Sequence, residues 1–344
     1  MMAGHTPSVT GYVQQLTVGE HSMYAKISLL GTSLTSILQG RHGSWSQVHA
    51  NQRRYLASGN DLLRREASQL QFLSALGLPT VDAGYDTGVL FTQPARGRSL
   101  AEIALTEPAK LAEPLIRLWR SLTRLHTSPH RCAQISERDI TQTFARKFGN
   151  PRGSAERLGL TDHTAAAVLA LLRTAALLRR APTPTPGTGL VYGDLKPEHI
   201  LLAPDGTITL IDPGITSGPV VADAAKLISR LLLALFCTEP DHTRDIALIE
   251  SVQEFTRLLT TTVPPRERDT WWRDLVGLWL KDTTNILSTY LAAPPTLPLP
   301  AHATAVQQRA EHLCDLAERT ATILIRHNDP QEAWRHGLAR VIAR

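Results

Sequence analysis

The sequence has few cysteines and no long apolar run, and each shortage excludes a class of protein. Its three cysteines, Cys132, Cys237 and Cys314, lie far apart without a CxxC spacing, which argues against a disulfide framework and a zinc ribbon. The most apolar run, at 227–237, contains two polar residues and is too short to cross a bilayer. No basic segment followed by an apolar one opens the chain, as a secretory signal would require. We therefore expect a cytoplasmic protein without membrane insertion.

The charge and the histidine content argue against nucleic-acid binding and against a histidine-based metal site. The formal charge of +5 permits an anionic ligand, but the arginines are scattered through the chain and form no basic stripe, which argues against nucleic-acid binding. The 13 histidines form neither an HExxH motif nor a Cys/His cluster, so most are expected to be ordinary solvent or core imidazoles. With 344 residues, 42% of them hydrophobic, the chain can bury one large core or two modest ones.

The chain changes character near residue 94. Residues 12–30 predict two short strands joined at Gly19, and residues 61–77 predict a helix that begins at Asp61 and stops at Gly77. Two further strand-like pieces lie in 80–93, which gives a small sheet with one helix. After Pro94 the apolar spacing is almost wholly helical, as at 113–126 and 160–180. The segment 181–189 predicts a loop because of its prolines.

The stretch YGDLKPEHILL at 192–202 contains an acid and a base between two apolar flanks. The order strand, loop, strand, turn, strand over 189–212 places Asp194 and Asp212 just past strand ends, where their side chains can converge. Two such carboxylates suit a metal-bound phosphate, since one can orient a hydroxyl nucleophile while the other holds Mg²⁺. Lys196 could neutralise charge on the moving phosphoryl group. The alternative is that both acids are ordinary turn carboxylates.

GDLKPEHILL followed by LIDPG resembles the catalytic and metal-binding loops of the protein-kinase-like superfamily. The GD form resembles the aminoglycoside phosphotransferase and choline kinase-like family of small-molecule kinases in particular. This resemblance implies an α+β, bilobal protein-kinase-like fold with a small β-sheet lobe containing one helix and a larger, mostly helical lobe. Residues 1–93 would form the nucleotide-binding lobe, with an insertion at about 31–60, and residues 94–344 the catalytic and acceptor-binding lobe.

The resemblance also implies roles at the phosphates for four side chains. Asp194 matches the catalytic base, and Asp212 matches the aspartate of the D-x-G triplet that holds Mg²⁺. Lys26, in YAKI, matches the lysine that contacts the α- and β-phosphates of ATP, and Glu66 matches its helix partner. From the residues alone, Lys26 could instead be an edge-strand lysine facing solvent, and Glu102 and Glu107 compete with Glu66.

Two further parts of the family pattern can be placed. Backbone groups of Thr92, Gln93 and Pro94 match the hinge that meets adenine. Asp223 matches an aspartate that braces the catalytic loop, at the start of a helix that is apolar on nearly every side over 222–237.

Three features depart from the family pattern. His199 replaces a metal-binding asparagine, and Mg²⁺ prefers oxygen ligands, so a second metal site would be weakened, lost or served by Mn²⁺. Pro213 replaces an aromatic residue in the D-x-G triplet. No GxGxxG covers the first hairpin. The segment 31–60, with cationic candidates Arg41, His42, Arg53 and Arg54, could contact phosphate or acceptor, or be a solvated insertion.

The acceptor stays open between three hypotheses. The first is a small-molecule hydroxyl, such as one on an antibiotic or another natural-product intermediate, although the positive charge disfavours a polycationic aminoglycoside. The second is a Ser or Thr hydroxyl of a peptide, phosphorylated before elimination by a lyase partner, because DLKPE is close to the Ser/Thr protein kinase pattern. The third is a pseudokinase that binds nucleotide without phosphoryl transfer. Trp271, Trp272 and Trp279 could stack on an acceptor ring or belong to the core.

Overall fold

The structure of the protein, a computed structural model, describes residues 5–6, 11–130, 132, 135, 139–158, 164–182, 184, 189–293 and 299–343. Most of the proline-containing loop predicted at 181–189 and the first residues of the helix predicted at 160–180 lie outside the described residues. The fold is α+β, with an antiparallel sheet in the N-terminal part and a mostly helical remainder, which confirms the predicted class.

The N-terminal part is built on an antiparallel sheet with the strand order β1-β2-β3-β5-β4. Its strands are β1 (His5–Thr6), β2 (Tyr12–Val18), β3 (His21–Ile27), β4 (Ala83–Asp86) and β5 (Val89–Thr92). The hairpin between β2 and β3 turns at Gly19, whose φ of 62° is in the left-handed region that glycine adopts without strain. The register pairs Lys26 of β3 with Val13 and Leu90, in the middle of the sheet.

Three helices connect β3 to β4: α1 (Leu34–Leu38), α2 (Trp45–Ala57) and α3 (Leu62–Ala75). Asp61 caps α3, because its carboxylate accepts a hydrogen bond from the Arg64 N–H at 3.0 Å. The apolar face of α3 contains Leu63, Ala67 and Leu70 and is buried. Glu66 lies on the same side of the helix by its spacing and is buried as well.

The segment 31–60, predicted as an insertion, contains α1 and α2 and contacts both parts of the molecule. Gln52 on α2 fixes the start of this segment. The Gln52 side chain accepts a hydrogen bond from the Leu30 N–H at 2.6 Å and donates one to the Ser28 carbonyl at 3.0 Å. Beyond α1, the Gln39 side-chain amide donates to the carbonyl of Ala292 in the helical part.

The chain passes into the helical part at residues 93–97. The helices there are α4 (Leu100–Thr106), α5 (Ala112–His126), α6 (Ile140–Phe148), α7 (Pro151–Leu158), α8 (Ala165–Leu178), α9 (Val221–Leu235), α10 (His242–Thr262), α11 (Arg268–Leu291), α12 (Ala301–Gln308), α13 (Ala310–Thr322) and α14 (Pro330–Ile342). Strand β6 (Arg98–Ser99) precedes α4. Four short strands lie between α8 and α9 in the described ranges: β7 (Leu190–Val191), β8 (Ile200–Leu202), β9 (Ile208–Leu210) and β10 (Thr216–Ser217). None of the helices in the described ranges combines the length and apolarity that crossing a bilayer requires.

Helix α9 lies at the centre of the helical part, as its apolar sequence predicts. Most of its side chains are buried, including Asp223, which is 0% exposed. It packs along α11, which is itself buried over most of its length. Trp272 and Trp279 of α11 pack against Trp334 of α14, with ring centroids 5.7 and 5.5 Å apart. These two tryptophans therefore belong to the core.

Candidate functional site

The loop that follows β7 is held by one buried carboxylate. Asp223 accepts hydrogen bonds from the backbone N–H groups of Tyr192 and Gly193, at 2.7 and 2.8 Å. The same side chain lies 3.0 Å from the Nε2 atom of His126 on α5. A buried carboxylate with several donors is satisfied and fixes the groups that bond to it. Asp223 therefore fixes the backbone immediately before Asp194.

Two glycines let the two candidate loops pass closely. Gly193 has a φ of 78°, and a Cβ atom there would lie 2.1 Å from the carbonyl oxygen of Gly214. The Gly214 N–H donates to the Tyr192 carbonyl at 3.1 Å, which joins the segment after Asp212 to the segment before Asp194. The GD of the first loop and the D-x-G of the second are thus adjacent because neither glycine carries a side chain.

Asp194 is surrounded by cations, and its two oxygens face different ones. Its Oδ2 atom lies 2.7 Å from the Lys196 ammonium, and its Oδ1 atom lies 3.3 Å from the ammonium of Lys226 on α9. Burial alone would raise the pKa of Asp194, but these two ammoniums hold it well below its usual range. Asp194 is therefore an ionised carboxylate.

Lys26, Glu66 and Asp212 form a second charged group. The Lys26 Nζ atom lies 3.0 and 2.9 Å from the two carboxylate oxygens of Glu66 and 3.3 Å from Oδ1 of Asp212. Burial alone would lower the pKa of Lys26, but the two carboxylates raise it above its ordinary value. Asp212 has a φ of 54°, an uncommon conformation for a residue with a side chain that often marks a functional position. The structure thus brings a β3 lysine, an α3 glutamate and the acid after β9 together.

His199 lies between Asp194 and Asp212. Its Nδ1 atom is 3.2 Å from the Asp194 carbonyl oxygen, which requires Nδ1 to carry a proton and donate it. Its Nε2 atom is 3.7 Å from Oδ2 of Asp212. Burial, followed by the Lys196 ammonium, lowers the pKa of His199, so Nε2 presents a lone pair towards a carboxylate. Two acceptors that face each other suit a cation between them.

The donor set near Asp212 fits a metal that is shared with a ligand. In the described part of the chain, no group of three His, Cys, Asp or Glu side chains is placed to hold a metal ion alone. Mg²⁺ is commonly bound by one or two carboxylates together with substrate phosphates and water. The pair of Asp212 and His199 is compatible with that arrangement, and the imidazole would favour an ion such as Mn²⁺ that accepts nitrogen.

The predicted hinge, Thr92 to Pro94, lies at the end of β5 where the chain leaves the sheet. The Gln93 N–H donates to the Asp82 carbonyl at 3.1 Å, and Pro94 has no N–H to offer. This segment could therefore meet an adenine amino group through carbonyl oxygens. In the 31–60 segment, Arg41, Arg53 and Arg54 are exposed, and Arg54 donates to Asn51 at 2.6 Å.

Sequence reasoning missed five residues around these groups. Gln69 on α3 accepts from the Ile215 N–H at 3.0 Å and so connects the helix of Glu66 to the loop of Asp212. Asp282 on α11 pairs with both Lys226 and Arg230 at 3.4 Å, and His126 contacts Asp223. Lys226 and Arg230 were visible only as polar interruptions of an apolar helix. The sequence could have indicated Asp282 because it is a single acid within a mostly apolar stretch of α11.

The family is shown by a sequence model. The model of the phosphotransferase enzyme family APH matches residues 52–258, which contain Glu66, Asp194 and Asp212. The chain belongs to this family, which confirms the predicted membership. Its class of activity is phosphoryl transfer to an alcohol group. No curated protein sequence matches the chain.

Solved structures share the fold at low sequence identity. An apo thermostable mutant of aminoglycoside phosphotransferase APH(4)-Ia has a TM-score of 0.55 at 13% identity, over 93% of this chain and 95% of that one. Amicoumacin kinase hAmiN, in complex with AMP-PNP, Ca²⁺ and Ami, has a TM-score of 0.53 at 14% identity, over 91% of this chain and 87% of that one. A putative aminoglycoside phosphotransferase from Ralstonia eutropha JMP134 has a TM-score of 0.53 at 11% identity, over 94% and 93%. These similarities establish the kinase-like fold.

Proposed function

We propose that this protein transfers the γ-phosphoryl group of ATP to a hydroxyl of a small molecule, such as an antibiotic or another natural-product intermediate. The observation that carries the proposal is the convergence of Lys26 on Glu66 and Asp212, at 2.9 and 3.3 Å, beside Asp194. Use of ATP is supported by the relatives of this fold whose structures contain AMP-PNP.

The proposed binding roles follow from charge. Lys26, held by Glu66, contacts the α- and β-phosphates, and backbone groups of Thr92, Gln93 and Pro94 meet the adenine. Asp212 and His199 would hold Mg²⁺, which supplies positive charge against the phosphate oxygens. In this proposal residues 1–93 are the nucleotide-binding lobe and residues 94–344 the catalytic and acceptor-binding lobe.

The proposed chemistry is a direct displacement. A bond forms between the acceptor oxygen and the γ-phosphorus while the bond from that phosphorus to the β–γ bridging oxygen breaks, and ADP leaves. Asp194 orients the acceptor hydroxyl and receives its proton, which then passes to solvent. Lys196 stabilises charge on the transferring group.

The replacement Asp194→Asn tests the central role. The amide keeps the shape but cannot accept the proton, so turnover should fall on the order of a hundredfold or more while ATP affinity changes little. The measurement is ADP formation against a metabolite panel, with nucleotide affinity determined separately. Asp205→Asn is the matched control, because Asp205 is exposed in a turn and should leave turnover unchanged. Turnover by Asp194→Asn equal to that of the control removes Asp194 from this role.

A peptide acceptor is the second candidate, favoured by one observation. The Lys196 ammonium contacts Asp194 at 2.7 Å, as expected if D-x-K works as it does in the Ser/Thr protein kinase pattern. Phosphorylated peptide instead of phosphorylated metabolite, detected by mass spectrometry, would select this candidate, and elimination of that phosphate would point to a lyase partner. Wild-type protein that binds ATP but forms no ADP with any acceptor would instead be a pseudokinase.

A further inference from the structure

Two cations on α9 are not explained by contacts to ATP: Lys226, which lies 3.3 Å from Asp194, and Arg230. Lys226 and Arg230 are one helical turn apart and therefore share a face of the helix. Both pair with Asp282 of α11, through Lys226 Nζ to Oδ1 and Arg230 Nε to Oδ2, each at 3.4 Å. The Asp282 side chain is only 3% exposed, so it anchors the two cations from inside the protein. We call Lys226, Arg230 and Asp282 the α9–α11 cluster.

The hydrogen-bonding capacity of Arg230 is largely unused. A guanidinium carries five N–H donors, yet Arg230 makes no hydrogen bond to any described residue. Its Nε atom and the Oδ2 atom of Asp282 lie 3.4 Å apart as an ion pair, without the geometry of a hydrogen bond. The terminal N–H groups of the guanidinium have no hydrogen-bond acceptor among the described residues, so a ligand or water can satisfy them. The arrangement suits a ligand with planar acceptor oxygens.

Lys226 lies between two carboxylates. Its ammonium lies 3.3 Å from Asp194 and 3.4 Å from Asp282, both longer than usual hydrogen bonds. It occupies Oδ1 of Asp194, whereas Lys196 occupies Oδ2. A hydroxyl that bonds to Oδ1 must therefore share this oxygen with the ammonium. An anionic group on the acceptor would attract Lys226 away and leave Oδ1 to the hydroxyl.

Other side chains near Arg230 are consistent with an acceptor pocket. Tyr290 and His302 lie within electrostatic reach of Arg230, with 3.2 Å between the Tyr290 hydroxyl and Nε2 of His302. Asp282, Glu198 and Asp194 raise the pKa of Arg230 against the effect of burial. Glu198 is exposed to solvent and forms no ion pair within the described ranges, so water screens its charge.

We propose that the acceptor of this enzyme is a small hydroxyl compound that also carries an anionic group, a carboxylate or a phosphate, which binds Arg230 and Lys226 of the α9–α11 cluster. This proposal rests on the function proposed above and narrows its substrate class. Lys196, Lys226 and Arg230 are three cations against Asp194, Asp282 and Glu198, and water screens the charge of the exposed Glu198. A polycationic acceptor would meet like charges at this position, which disfavours its binding.

The test uses four probes with a common hydroxyl-bearing backbone and different charge. Glycerate carries a carboxylate, glycerol 3-phosphate a phosphate, glyceramide no charge, and 3-amino-1,2-propanediol a positive charge. Binding is measured by ligand-observed NMR titration at millimolar concentrations, and phosphoryl transfer by ADP formation with mass detection of the product. We expect the anionic probes to bind and react best, and a difference between glycerate and glycerol 3-phosphate identifies which anion is preferred.

Arg230→Gln supplies the specific variant. Charge-assisted hydrogen bonds are the strong ones, so the ratio of anionic to neutral binding should fall about tenfold or more. A ratio within one variant does not depend on the fraction of folded protein. Arg230→Lys should retain part of the preference, because it keeps the charge but loses the planar fork. Arg266→Gln, whose side chain is 86% exposed, is the matched control and should keep the wild-type ratio.

The outcomes separate the two proposals. Equal binding of the four probes, preference for the amine, or an unchanged ratio in Arg230→Gln overturns the anionic acceptor while leaving ATP-dependent transfer in place. Failure of the wild-type protein to bind ATP or to form ADP with any acceptor overturns the proposed function and, with it, this inference. A preference for the anion that Arg230→Gln removes and Arg266→Gln keeps supports both.

Discussion

At the scale of single residues, the site is a balance of close charges. Asp194 has an ammonium at each oxygen, at 2.7 and 3.3 Å, and Lys26 has a carboxylate on two sides. Because the pKa of Asp194 is lowered, its ion pairs stabilise the fold above its unfolded-state pKa, and this stabilisation is lost only as the pH falls towards the lower folded-state value. The carboxylate therefore remains charged throughout the neutral range.

Replacing Lys26 by Met should affect stability and turnover together. The change leaves Glu66, whose side chain is 6% exposed, without its cation, and breaking a buried ion pair costs about 3 kcal/mol. Turnover should also fall on the order of a hundredfold, because the contact to the phosphates is lost. Thermal unfolding and ADP formation measure the two effects.

The double variant Lys26→Met with Glu66→Leu separates these effects. An apolar pair of similar volume can replace a buried ion pair with little loss of stability. We expect the double variant to recover the unfolding temperature but not the turnover. Recovery of both would show that Lys26 has only a structural role.

At the scale of elements, local sequence patterns predicted the strands and the acids at their ends. Asp194 and Asp212 follow short β runs within one stretch, so their proximity could be inferred from the order of strands and turns. Lys26 and Glu66 depended on family resemblance, because 40 residues separate them. Asp282 lies 88 positions after Asp194, and no periodicity specifies which side of α11 faces α9. The α9–α11 cluster therefore became visible only in the packed structure.

Two glycines, one in α11 and one in α14, should change the stability of the protein in opposite directions when each is replaced by alanine. A Cβ atom at Gly337 would lie 2.7 and 2.8 Å from the indole ring of Trp279, so Gly337→Ala should destabilise the protein by about 1–3 kcal/mol through overpacking. A Cβ atom at Gly277 in α11 would meet nothing within 4 Å, so Gly277→Ala should stabilise it by up to about 1 kcal/mol through helix propensity. Chemical denaturation of both variants checks the signs, and destabilisation of equal size in both would contradict this packing.

At the scale of the whole molecule, the nucleotide should stabilise the sheet and the helical part together, because Lys26 belongs to one and Asp212 to the other. A ligand at a hundred times its Kd adds about 2.7 kcal/mol to the free energy of unfolding, which corresponds to about 4 °C in Tm. We expect a shift with ADP alone and a larger one with ADP and Mg²⁺. Asp212→Asn should lose the additional shift from the metal, and a metal-dependent shift equal to that of the wild type would exclude Asp212 as the ligand.

The bond from Gln39 to the Ala292 carbonyl ties the N-terminal half to the end of α11 at a point remote in sequence from the 93–97 link. Together with the bond between Gln69 and the Ile215 N–H, this attachment restricts how far the two parts can swing apart. If departure of ADP limits the cycle, its rate will depend on this amide, although Gln39 belongs to neither proposed set of reacting groups. Selection for faster or slower product escape could therefore act on the α1 segment without altering the chemistry.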